Sequence, residues 1–355
     1  MPTARTLNRT LLARQLLLDR HDLRPDQAIE HLVGLQAQAT ASPYVALWSR
    51  LTGFTADRVG TMLEDRSAVR TTLMRGTLHL VTARDCARLR PAMQPMLDRV
   101  ARTNFGRDLT GVDLAALVEA ALPLLTEPRT TAQLGAALAP RWPDHQPRVL
   151  GAVLPLLLPV VQIPPRGILG RGGPAANALA STWLGTDIPA PEPPDSAILR
   201  YLAAFGPATA ADISAWSRLT GVKSVITRMD LKTYRDETGR TLLDHPDADL
   251  TDPETPAPPR FLPEFDNVLL SHADRTRIMG DEDRKRWSGV ANAVFPASFL
   301  LDGFLSGTWK VDRGTLAITP YRKVSTGDRR ALEREGLALL DFLAPQHDHA
   351  IHFTT

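Results

Sequence analysis

Two glutamines, Gln36 and Gln38, flank a single alanine in the stretch EHLVGLQAQATASPY, residues 30–44. A carboxamide is neutral and does not exchange a proton at ordinary pH, so the pair supplies neither a general acid nor a general base. It supplies hydrogen bonds instead. One amide can hold a water molecule, and a carbonyl oxygen can face a positive charge as that charge develops. On an α-helix, side chains two positions apart diverge by roughly 200° around the axis, the wrong spacing for a common face. The stretch runs from an apolar helical pattern into small residues and a proline. The pair is therefore expected on a broken or terminating helix, with both amides facing one cleft. On spacing alone the same residues also read as a helix cap or a solvated surface.

The rest of the chain must frame that pair. Its 355 residues, 43% hydrophobic, can bury a large core and imply two or three compact units. No run approaches the roughly 18 apolar residues of a membrane span, and the start MPTARTLNRTLLARQ lacks the apolar core and cleavage site of a signal peptide. A cytoplasmic, nucleoid-associated protein is expected. The one cysteine, Cys86, excludes an internal disulfide or a zinc site of several thiolates and reads as a buried thiol. Net charge is only +2, yet of 41 basic residues just 5 are lysines. Arginine suits planar, bidentate contact with phosphate or base edges, although a GC-rich genome gives the same bias. Between Arg66 and Arg107, nine arginines face only two acids, Asp85 and Asp98. This is the best electrostatic footprint in the chain.

Residues 196–246 show the clearest local architecture. One amphipathic helix ends near Gly206-Pro207, Thr209 caps a second, a third follows Gly221, and TYRDETGRTLLDH reads as a hairpin around a Thr-Gly-Arg turn. Three helices and a hairpin make a winged helix-turn-helix. The same order recurs upstream in DLAALVEAALPLL, TTAQLGAALA and QPRVLGAVLPLLL, with VVQIPPRGILGRGG as the wing. The glycines of that wing follow proline-broken extended residues and open no helix, so they do not read as a phosphate cradle. Residues 1–90 fit the scheme less comfortably, with helices at about 6–18, 25–37 and 43–52, a further helix, and β-rich TTLMRGTLHLV. The last part combines strands (NVLLS, SFLLDGFLSGTWKVD, TLAITPYR) with a late helix, after a proline-rich linker or crossover, DPETPAPPRFLPEFD. The expected fold class is α+β: three tandem winged helix-turn-helix modules at 1–105, 106–190 and 191–260, then a strand-rich region at 261–355.

Three separated strings then gain meaning together: GLQAQATASPYVALWSRL, RTTLMRGTLHLVTARD and FLPEFDNVLLSHADR. In this order they resemble the bacterial winged-helix DNA glycosylases of the AlkZ and YcaQ group, over nearly the whole chain. The resemblance implies a catalytic signature of glutamine, an apolar residue, then glutamine or aspartate. Gln36, Ala37 and Gln38 match the glutamine form, which is similar to the AlkZ branch that unhooks bulky adducts and interstrand crosslinks, including those of azinomycin type. It further implies that RGTLHLVTARD forms a β-hairpin near the minor groove, with Arg75, Thr77, His79, Thr82, Arg84 and Asp85 as DNA-contacting or hairpin-fixing residues.

The chemistry of the amides agrees with such a reaction on one kind of substrate. A normal base needs a carboxylate to activate water and usually an acid to help it leave. A purine alkylated at N7 is already cationic and departs neutral, so what remains is to place water and favour a cationic sugar. No lysine precedes Lys223, which leaves no Schiff-base nucleophile in the first module and implies a monofunctional enzyme that leaves an abasic site. The expected partner is double-stranded DNA containing alkylated purines, with no cofactor, no metal and a monomeric state. The tail HDHAIHF carries His347, His349 and His352 near Asp348, but no further acidic or cysteine partner is specified elsewhere for a metal. Glu264 and Asp266 read as framework, or as a carboxylate pair for acid–base work. The alternative function is a non-enzymatic winged-helix DNA-binding regulator, which every fold-level feature fits equally well.

Overall fold

Glycine, proline and hydroxyl side chains punctuate residues 193–250 densely enough to mark the ends of the elements there. The computed structural model describes residues 1–190, 193–288 and 295–354. Its elements run in chain order through four stretches. The first holds α1 (Ala4–Arg14), α2 (Pro25–His31), β1 (Leu35–Gln36), α3 (Ser42–Trp48), α4 (Ala56–Glu64), β2 (Ala68–Thr72), β3 (Leu78–Thr82) and α5 (Ala83–Phe105). The second holds α6 (Leu114–Ala121), β4 (Arg129–Thr130), α7 (Thr131–Leu138), α8 (Pro147–Ala152), α9 (Leu154–Leu157), β5 (Val160–Gln162), β6 (Ala176–Leu179) and α10 (Ala180–Leu184).

The third stretch holds α11 (Asp195–Phe205), α12 (Ala210–Ser217), α13 (Val222–Ile226), β7 (Lys232–Arg235) and β8 (Thr241–Asp244). The last comprises β9 (Arg260–Leu262), α14 (Asn267–Leu270), α15 (Asp281–Ser288), β10 (Ser298–Leu301), β11 (Phe304–Asp312), β12 (Thr315–Pro320), α16 (Thr326–Leu343) and β13 (Ala350–Phe353).

In the third stretch the expected order of three helices and a hairpin is present. Gly206 closes α11, the Thr209 hydroxyl accepts from the Asp212 amide at the start of α12, and Gly221 opens α13. The second stretch likewise has helices from the expected segments, Thr130 capping α7, and an antiparallel β5–β6 pair joined by a long loop.

The boundary expected near residue 105 is crossed by backbone hydrogen bonds. β2 pairs with β5 (Arg70 opposite Gln162, Thr71 opposite Val161), so hairpin and upstream wing form one six-stranded sheet in the order β1-β3-β2-β5-β6-β4. The first helix departs from its expected module too. Arg14 grips Asp244 of β8 with two hydrogen bonds of 2.6 and 2.9 Å, and Asn8 donates to the carbonyls of Arg277 and Gly303, both at 2.8 Å.

The strand-rich region is a five-stranded sheet, β13-β12-β11-β10-β9, covered by α16. Its Phe261, Phe299, Leu316 and Leu339 share one core with Leu35, Ala37, Tyr44 and Leu47 of the first stretch, so α3 is the packing bridge between them. Two expectations fail here. NVLLS is a short helix and not a strand, because the Asp266 side chain accepts from the Val268 amide at 3.0 Å and starts α14. The proline-rich crossover contains a strand, β9, paired to β10.

Candidate active site

The glutamine pair does not end a helix. α2 stops at His31, Val33 and Gly34 adopt positive φ (57° and 89°), and the chain emerges as β1, with Gln36 opposite His79 and Leu35 opposite Leu80 of β3. The Ala37 amide extends the ladder by donating to the Leu78 carbonyl at 2.8 Å. On a strand, residues two apart share a face. The spacing that a helix forbids is the one a strand requires. Leu35 and Ala37 turn into the core, 5% and 0% exposed, while Gln36 and Gln38 share the other side, with Gln36 buried at 6% and Gln38 exposed. Gln36 Nε2 donates to Gln38 Oε1 at 2.8 Å.

Two arginines hold this strand, and both belong to the nine-arginine footprint. Arg70, on β2, is buried and donates Nη2 to the Ala37 carbonyl at 2.6 Å, between the two glutamines. Arg75 donates Nη2 to Gln36 Oε1 at 2.6 Å and to Asn267 Oδ1 at 2.9 Å, and Nη1 to the Trp216 carbonyl at 3.3 Å. Burial, with the nearby charges of Arg275 and Arg218, lowers its pKa to about 10, which leaves it cationic at neutral pH. Arg90 is also turned inward, donating to the Leu158 carbonyl at 2.8 Å. Three of the nine arginines of the footprint, Arg70, Arg75 and Arg90, are thus spent on the protein's own groups. Arg70 and Asn267 are the residues that motif reading missed; the sole local signal was an arginine inside the otherwise apolar and hydroxyl strand AVRTT.

RGTLHLVTARD does complete a hairpin, β2–β3, but most of its side chains face inward. Thr77 Oγ1 donates to the Met74 carbonyl at 3.0 Å inside the turn. His79 is fully buried and donates Nδ1–H to the Thr77 carbonyl at 2.9 Å; burial, and then the charge of Arg75, lower its pKa to about 3, so it is neutral. Thr82, 4% exposed, caps α5 and donates to Glu30 at 2.8 Å. Asp85, 1% exposed, receives both guanidinium arms of Arg200 at 2.7 and 2.6 Å. Of the two roles the resemblance implies for them, contact with DNA or fixing of the hairpin, the contacts made by His79, Thr82 and Asp85 are of the second kind. Arg84 alone is exposed, and it is paired with Glu30. Five residues of strand, roughly 17 Å, separate Thr77 beside the glutamines from Thr82. Arg84 and Asp85 therefore line a different depression, a polar basin of about 640 Å³ shared with Arg24, Arg88 and Arg200.

Just past Gln38, Ala39, Ala41 and Val45 line an apolar cavity of about 320 Å³ with Trp309, Val311 and Glu264. The Trp309 ring is fixed by hydrogen bonds from Nε1 to the Leu262 and Ser298 carbonyls at 2.9 and 3.0 Å. The two weighed carboxylates separate in role. Asp266 is buried in a two-armed ion pair with Arg50, at 2.9 and 3.0 Å. Glu264 is half-buried, takes part in no hydrogen bond or ion pair among the described residues, and also lines a narrow crevice with Gln36 and Asn267. Cys86 is buried, its thiol pushed up to about 12 by burial. In the tail, His349 lies against Asp341 at 3.3 Å; among the described residues no group of three or more metal-ligating side chains converges. Nor is any described helix long and apolar enough to cross a membrane.

The two amides, one ending β1 and one just past it, are held from behind by Arg70 and Arg75 on a fold of mixed helix and sheet. The chain belongs to the DNA glycosylase AlkZ-like family, whose model matches residues 29–342, and by that membership it is a DNA glycosylase. It is 25% identical to the interstrand DNA cross-link repair glycosylase of Streptomyces sahachiroi, over 91% of this chain and 92% of that one. Its fold is similar to that of the Streptomyces sahachiroi DNA glycosylase AlkZ, with a TM-score of 0.81 at 22% identity and all of both chains covered.

Proposed function

We propose that the protein is a monofunctional DNA glycosylase that hydrolyses the N-glycosidic bond of N7-alkylated purines in duplex DNA, including bulky adducts and interstrand crosslinks, and leaves an abasic site. One observation carries the reading: Gln36, at the end of β1, and Gln38, two residues beyond it, are hydrogen-bonded to each other, and the outer amide is exposed. Neutral amides suffice because the substrate arrives cationic. They place water and turn oxygen toward the sugar as its charge grows. The apolar cavity beyond Gln38 supports the bulky-adduct reading, since it offers room beside the reacting bond for an adduct's apolar arm. In this reading residues 1–105, 106–190 and 191–260 are three winged-helix modules, the first two joined through their sheet, and exposed arginines such as Arg84 meet the phosphates.

Release of 7-methylguanine from methylated duplex DNA tests the reading. Wild type is expected to release it and to leave alkali-labile sites. The Gln36→Ala, Gln38→Ala double variant is expected to lose at least about 100-fold in rate, the scale of one removed transition-state hydrogen-bonding group. Equal slow release by both proteins would put the site elsewhere.

A further inference from the structure

We propose that Arg75 is the positioning residue of the glutamine pair, acting through Gln36 and not on DNA; this rests on the catalytic reading of Gln36 and Gln38. An amide side chain has a donor end and an acceptor end, whereas a guanidinium only donates. With Arg75 Nη2 at 2.6 Å, Gln36 must present its oxygen to the arginine and its NH2 to Gln38. Gln38 can meet that NH2 only with its oxygen, so its own NH2 faces outward. One cation therefore decides which atoms the exposed amide presents: two N–H donors and the remaining lone pair of Oε1. Without it, each amide can turn over about its last torsion, and half of the orientations are wrong for any one task.

Arg75 is held to this role from several directions. Asn267, which receives Arg75 Nη2, donates its own Nδ2 to the Gly34 carbonyl at 3.1 Å. Gly34, Asn267, Arg75 and Gln36 thus close a ring that ties the hairpin turn to the start of β1. The backbone is shaped for it as well. Arg75 sits at φ 61°, a region costly for a long side chain, and Gly76 follows at 72°. A phosphate contact would have to draw the guanidinium away from three acceptors at once.

The test uses the full chain and three readouts: single-turnover release of 7-methylguanine, affinity for undamaged duplex against salt, and the side-chain amide NMR signals of Gln36 and Gln38. Arg75→Lys keeps the charge but loses the fork; Arg75→Met loses both. Each is expected to slow release about 10- to 100-fold, as small misplacements do, with affinity and salt slope unchanged and the two amide signals shifted or broadened. In a Gln36→Ala background the added Arg75→Met change should cost less than about twofold. Undiminished release by Arg75→Lys, multiplicative losses in the two backgrounds, or a salt slope shallower by about one, the mark of a lost phosphate contact, would overturn the proposal. The NMR arm stands apart from activity. Unchanged amide signals in Arg75→Lys refute the positioning role even if the wild type releases no base, while that latter result alone would refute only the catalytic reading.

Discussion

The hairpins β2–β3 and β7–β8 each follow a set of helices and look alike in sequence, yet they serve opposite ends. The second is a two-stranded sheet whose turn, Glu237 to Arg240, is exposed and organised mainly from within: the Asp236 carboxylate accepts from the amides of Thr238 and Arg240, both at 2.9 Å, and from Arg240 Nε at 2.7 Å, while its distant contacts, Arg240 to Asp274 and the Ala4 amide to Glu237, lie at the surface. The first has partners on both edges, and its turn is gripped by Asn267 and the Trp216 carbonyl. What a hairpin does is decided by what its turn touches. A turn held mainly by its own residues and by surface pairs stays at the surface; one held by buried distant groups becomes scaffold.

The contrast can be broken at its most costly point, the frame behind the first turn. Asp266→Ala strands the buried Arg50, and urea unfolding should show a loss of about 3–5 kcal/mol, far more than any change in the β7–β8 turn. Next come two glycines in the same left-handed region. At Gly34, φ 89°, an added Cβ would meet Val81 Cγ1 at 2.8 Å, whereas at Gly239, φ 82°, it would meet nothing within 4 Å. Gly34→Ala should therefore cost about 1–3 kcal/mol and depress base release by disturbing β1. Gly239→Ala should cost about 1 kcal/mol, the backbone term alone, and leave release intact.

The smallest effect near neutrality lies in acid. His79 stays unprotonated when folded, its pKa held near 3, while an unfolded histidine takes up a proton near 6.5. Its contribution is complete above about pH 6.5 and is lost as pH falls toward 3. In the other hairpin burial raises the Asp236 carboxyl, but hydrogen bonds from Thr238 and Arg240 outweigh it and hold the pKa at about 2. That contribution is lost only between about pH 4 and 2. Stability measured from pH 7 to about 4.5 should lose part of its slope in His79→Gln and keep it in Asp236→Asn.

The third stretch was legible because its signals are local: Gly206, Thr209, Gly221 and the Thr-Gly-Arg turn each act on their own neighbours. The glutamines were legible as chemistry but not as geometry. β1 is two residues long and exists because β3 lies beside it, more than 40 positions away. The pattern through residues 25–37 favours a helix, and the small residues and proline after it hinted at its end; Gly34, at φ 89°, is where the chain actually leaves it. Arg75 and Asn267 are 192 positions apart, and no periodicity joins them. NVLLS was misread for the opposite reason, since its apolar run looks like a strand until Asp266 is seen as a cap.

The ladder between β2 and β5 has a mechanical consequence. Two segments that sequence alone would separate are riveted by main-chain bonds at Arg70–Gln162 and Thr71–Val161, so a swivel between them would have to break that ladder. Where that face stays stiff against DNA, steps that are already unstacked or kinked would yield to it at the least elastic cost.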